Sequence, residues 1–94
     1  MGKRKRDLHH ILDDQFRIKY WPRKTDLRLK ALHYLASKLR ADYAYTEAAI
    51  NSLIRHWCAF DDPALLRREL FEKQLVGRMR DGSQYWLLYG LMGQ

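Results

Sequence analysis

Arg67-Arg68 is the residue pair best suited to chemistry with a partner. Successive helical residues project about 100° apart, so both flank a line through Leu66 and Leu70 and at least one faces outward. An outward guanidinium can meet DNA phosphates or a guanine edge. An inward one pairs with Asp61, Asp62 or Glu72, and Arg68 stands four residues before Glu72, a spacing that allows the pair. The other candidate sets are weaker. His9-His10, His33 and His56-x-Cys58 offer at best two adjacent ligands where zinc takes four, so no metal is expected. Cys58, Ser37, Ser52 and Ser83 have no base brought beside them by the sequence. Asp13-Asp14 and Asp61-Asp62 are adjacent carboxylates whose side chains point apart, and Asp62 before Pro63 has a helix-capping role instead. No glycine-rich phosphate loop is present. The expectation is a non-enzymatic protein without cofactor.

Charge points toward a polyanion. The chain has 94 residues and a net charge of +7, which favours nucleic acid as partner. Residues 1–40 hold twelve Lys/Arg against four Asp, residues 41–62 one Arg against four acids, and residues 63–94 five Lys/Arg against three acids. Lys3, Arg4, Lys5 and Arg6 form a basic run suited to lying along phosphates, so residues 1–10 are expected to be a flexible arm and 11–94 a single domain. The apolar stretch Trp86–Met92 is far short of the ~20 residues of a bilayer helix. No membrane association is expected. The basic start runs into Asp7, Asp13 and Asp14 with no apolar segment, unlike a secretory signal. A single cysteine, Cys58, suits a reducing compartment, here the cytoplasm.

The elements that must position these residues follow from periodicity. Gln15–Tyr20 alternates apolar and polar and predicts an extended segment ended by Pro22. Leu29, Leu32, Leu35, Ala36 and Leu39 predict a helix over 26–40, with Thr25 as cap. Asp42–Tyr45 reads as a one-strand stub. Thr46 caps a second helix whose buried face is Ile50, Leu53, Ile54 and Trp57. Asp62-Pro63 starts a third helix over 63–74, with Leu66 and Leu70 inward. Val76–Arg80 and Ser83–Leu87 read as a hairpin turning on Asp81-Gly82. That pairing sets Arg78 opposite Tyr85, where a cation–π contact is expected, and Gly77 opposite Trp86. The fold class is α+β, mostly α: a winged helix-turn-helix-like three-helix core with a C-terminal two-stranded hairpin. The apolar tail, Leu87 to Met92, either packs on the core or makes a homodimer contact.

Tyr45-Thr46-Glu47 with Ile50-Asn51, Asp62 with Leu66-Arg67-Arg68-Glu69-Leu70, and Asp81-Gly82-Ser83-Gln84-Tyr85-Trp86 together resemble an uncharacterised bacterial domain family. Its signature is YTE-x-x-[VI]-N, D-x-x-x-L-R-R-x-L and DGS-x-YW. Upstream, Phe16, Arg17-Ile18-Lys19, Pro22, Lys24 and Arg28 extend the likeness to roughly 11–87, and Ala48-Ala49 departs from the family's polar residues there. The resemblance implies a regulatory setting, because such domains often stand alone or follow a helix-turn-helix domain in predicted transcription regulators. It implies no catalytic residue and no ligand.

The expected function is therefore duplex DNA binding by a transcription regulator. Arg67, Arg68 and Lys73 on the third helix, Arg78, Arg80 and Ser83 on the wing, and Lys3, Arg4, Lys5 and Arg6 in the arm are the expected contacts. A protein-interaction or dimerisation module without DNA contact is the alternative, favoured by the acidic stretch at 41–62.

Overall fold

A computed structural model describes residues 8–88. Three helices and a three-stranded antiparallel sheet make a small α+β fold. The helices are α1 (Thr25–Ala36), α2 (Glu47–Trp57) and α3 (Pro63–Glu72), and the strands are β1 (Ala44–Thr46), β2 (Val76–Arg78) and β3 (Gln84–Leu87). Sheet order is β1-β3-β2. The stub before α2 is thus a true strand, and the sheet has three strands where a two-stranded hairpin was expected. Antiparallel pairing of Ala44 with Trp86 and Tyr45 with Tyr85 supplies the extra edge, so the last strand is central.

Most helix boundaries have local causes. The Thr46 hydroxyl accepts from the Ala49 N–H at 3.0 Å, and the Asp62 carboxylate accepts from the Leu65 N–H at 3.3 Å, so two capping residues open α2 and α3. The first helix opens with Lys24 at the cap position and Thr25 already helical. It stops at Ala36, earlier than expected, because Ser37 turns its hydroxyl onto the Tyr34 carbonyl and the backbone tightens into three-residue steps through Leu39. Helix α3 also ends early. Gln74 takes a left-handed φ of 63°, and Leu75 N–H reaches back to the Leu70 carbonyl at 2.9 Å, a Schellman closure made without glycine.

Buried faces of all three helices meet one core. Leu27, Ala31, Leu32, Leu35 and Ala36 of α1, Ile50 and Ile54 of α2, and Leu66 and Leu70 of α3 are joined there by Ile11, Ile18, Tyr45, Val76 and Tyr85. Leu29 was expected in the α1 stripe but is 40% exposed. The helix turns Leu27 and Ala31 inward instead, one four-residue ridge round from Leu29. Residues 15–20 are not one extended segment. Phe16 adopts φ 63° and is 63% exposed, because Asp13 accepts the backbone N–H groups of Gln15 and Arg17 and folds the chain into a turn. Ile18 emerges from that turn fully buried, bridging to Leu12 on one side and Cys58 on the other. Leu8–Ile11 forms one 3-10 turn with Ile11 buried. Among the described residues no helix is long and apolar enough to cross a membrane.

Candidate nucleic-acid interface

Helix α3 and the β2–β3 hairpin face each other across a cleft of about 350 Å3, lined by Ala64, Arg67, Arg68, Phe71, Glu72, Arg78 and Tyr85. Two causes bring them together. Leu66 and Leu70 anchor the opposite side of α3 in the core, so Ala64, Arg68, Phe71 and Glu72 turn outward. The Schellman closure at Gln74 then reverses the chain within two residues, laying β2 back along the helix.

The two adjacent arginines have different fates. Arg67 is tied down: its Nη1 donates to the Tyr85 hydroxyl at 2.9 Å and lies 3.2 Å from a Glu47 carboxylate oxygen, and its side chain is 18% exposed. It also stands over the Tyr85 ring at 5.8 Å. The ring under Tyr85's expected cation is therefore occupied by Arg67, and Arg78 sits over Phe71 at 4.7 Å instead. The two side chains share one face of the sheet, but Tyr85 is buried on the central strand, whereas its cross-strand neighbour Arg78 is exposed on the edge strand β2. Arg68 is exposed and has no acidic partner among the described residues. The pairs expected between these arginines and Asp61, Asp62 or Glu72 are not made, since Asp61 meets Arg55 at 3.1 Å and Asp62 caps α3.

The remaining expected contacts divide in the same way. Lys73 ends α3 with its ammonium 3.4 Å from Glu69, an i,i+4 pair. Arg80 is exposed at the hairpin tip without an acidic partner among the described residues. Hydrogen bonds from the Ser83 hydroxyl and N–H hold the Asp81 carboxyl below its ordinary pKa range, so Ser83 ties the turn together. The turn closes through Gly82 N–H to the Met79 carbonyl at 2.9 Å, with φ of 77° at Gly82. The strands stop at Arg78 and Gln84, short of the expected two-residue turn, yet Gly77 still faces Trp86 as expected. Lys3, Arg4, Lys5 and Arg6 lie outside the described residues, as does most of the apolar tail.

Three side-chain roles are not legible in the sequence. Glu47 stands in the first turn of α2, and nothing in its spacing marks it as the partner of Arg67. Phe71 is 40% exposed and lies under the Arg78 guanidinium. Arg17 acts at the far end of α2, where its guanidinium donates to the carbonyls of Arg55, His56 and Cys58 at 3.2, 3.0 and 2.8 Å. It satisfies carbonyls that a helix end otherwise leaves unpaired.

Elsewhere the chemistry is quiet. Burial pushes the Cys58 thiol up to about 12, opposed by the nearby Arg17 charge, so the sulfur stays protonated. No group of three or more His, Cys, Asp or Glu that could hold a metal ion occurs among the described residues.

No curated protein and no solved structure matches the chain. The model of a family described as an uncharacterised protein conserved in bacteria (DUF2087) matches residues 17–87, from the arginine that closes α2 to the end of β3, and the chain belongs to that family.

Proposed function

We propose that this domain is a non-enzymatic winged-helix module of a transcription regulator that binds duplex DNA, with α3 as recognition helix and the β2–β3 hairpin as wing. The observation that carries the reading is that exposed Arg68 of α3 and Arg78 of the hairpin line one cleft. Sheet order β1-β3-β2 with helices between β1 and β2 agrees with a winged plan. Arg68, Arg78 and Arg80 are then the contacts to phosphate and base edges, and Arg67 and Lys73 hold the scaffold. Lys3 to Arg6 would add phosphate contacts from outside the described residues.

Fluorescence anisotropy with a labelled duplex tests this. If six or more phosphates are engaged, affinity should fall roughly 10³-fold between about 50 and 200 mM salt. The double variant Arg68→Ala/Arg80→Ala should flatten that slope while melting like the parent. Absence of binding at low salt defeats the reading. A second reading, a dimerisation or protein-interaction module, draws on Phe71 and Met79, which are 40% and 46% exposed on α3 and the hairpin. Sedimentation showing a dimer that Phe71→Ser disperses would favour it.

A further inference from the structure

We infer that the cleft between α3 and the hairpin seats one phosphodiester group, with Arg78 and Tyr85 as its anchors. Where that diester belongs to duplex DNA, the inference rests on the DNA reading; where it belongs to a free cyclic nucleotide, it stands apart from it.

Two donors border one point. Arg78 Nη1 and the Tyr85 hydroxyl oxygen lie 3.7 and 3.8 Å from the position that a Cβ on Gly82 would occupy. Gly82 leaves that position empty, and its φ of 77° disfavours any residue that would fill it. The Tyr85 hydroxyl already accepts from Arg67 Nη1, so its own proton is left to donate, and no acceptor for it exists among the described residues. The Arg67 guanidinium polarises that hydroxyl further. Arg68, also on the cleft wall, brings a third unpaired donor group. The Arg78 guanidinium and the Tyr85 phenol proton beside one point, with the Arg68 guanidinium on the same cleft wall, suit an acceptor with several oxygens.

Charge chooses among such acceptors. The cleft is lined by three guanidiniums and one carboxylate, Glu72, while Glu47 neutralises Arg67 from behind. The local balance is one positive charge, which suits a monoanionic diester better than a dianionic phosphate monoester. A volume of about 350 Å3 exceeds what a lone phosphate needs, and the exposed Phe71 ring gives an apolar wall for the carbons attached to it.

Two-dimensional NMR on the full chain tests this, with dimethyl phosphate, inorganic phosphate and a short duplex as separate titrants. Dimethyl phosphate should move the Gly82 amide and Tyr85 ring resonances to saturation, and more tightly than inorganic phosphate above its second pKa. Arg78→Ala and Tyr85→Phe should each weaken it about tenfold, the worth of one hydrogen bond to a charged group. Melting curves run on both variants separate this from unfolding, and Arg78→Ala on the exposed strand decides if Tyr85→Phe fails to fold. No saturable shift at Gly82 and Tyr85, or undiminished affinity in Arg78→Ala, overturns the inference. Should the duplex bind through Arg68 and Arg80 while the diester leaves Gly82 unmoved, the DNA reading survives and the cleft does not. Should the diester saturate while the duplex fails to bind, the cleft stands with a free cyclic nucleotide as its source.

Discussion

Replacing Arg67 and Arg68 separately by alanine should give opposite phenotypes. Arg67 donates to a buried phenol and pairs with Glu47, whose side chain is 53% exposed. A hydrogen bond from a charged donor contributes about 1.5–3 kcal/mol, and an ion pair to a half-exposed partner adds at most about 1 kcal/mol. Against this, Arg67 Nε is buried without an acceptor, and its loss returns part of that cost. The balance is about 2 kcal/mol of destabilisation for Arg67→Ala. For a domain of this size that lowers Tm by roughly 8–16 °C, at about 4–8 °C per kcal/mol. Arg68→Ala breaks no hydrogen bond or ion pair within the described residues, so its stability should stay within about 0.5 kcal/mol of the parent. Its DNA affinity should nevertheless drop. Urea unfolding followed by tryptophan fluorescence, with anisotropy on the same samples, measures both. If Arg67→Ala melts like the parent and loses DNA affinity as strongly as Arg68→Ala, the assignment of Arg67 to the scaffold is wrong.

Three further outcomes are expected. Gly77→Ala would place a methyl 2.6 Å from Trp86 Nε1 and 2.7 Å from Cε2, so the indole must move; the cost should be about 1–3 kcal/mol in urea unfolding, relieved in a Gly77→Ala/Trp86→Leu double variant. Gln74→Gly should raise stability by about 0.5–1 kcal/mol, because glycine accepts the left-handed φ of 63° that closes α3; a lowered Tm would contradict the Schellman closure. Cys58 should resist thiol reagents in the folded state and react on unfolding. Its folded pKa, about 12, lies above the ordinary 9.0, so the stability it contributes is complete below pH 9 and lost as pH climbs toward 12. A thiol that reacts quickly in native buffer at neutral pH would contradict its burial.

Periodicity and caps made α2, α3 and the hairpin register legible: Thr46 and Asp62 cap as their side chains predict, and Gly77 meets Trp86. Tertiary geometry hid the rest. Asp42–Tyr45 showed β character, but nothing local could say that its partner was β3, since strand pairing at long range leaves no spacing to read. Phe16 broke the alternation at 15–20 because Asp13 offered its carboxylate to two backbone N–H groups, a competition that pattern counting does not weigh. The end of α3 was missed for want of glycine at Gln74. At the candidate site, the Arg67-Arg68 pair was visible in the sequence. Which of the two was structural depended on Glu47, twenty residues upstream, and on Tyr85 on the central strand.

The central place of β3 bears on how the chain acquires its shape during synthesis. Ala44–Thr46 and Val76–Arg78 are joined through a segment translated after both of them. Until residues 84–87 are made and docked, β1 and β2 lack the strand that joins them, and Arg67 has no phenol to hold. A stop codon or protease cut shortly before Gln84 would therefore remove more than a terminal strand. It would release both sheet edges at once and free the scaffold arginine, leaving a helical remnant exposed to aggregation.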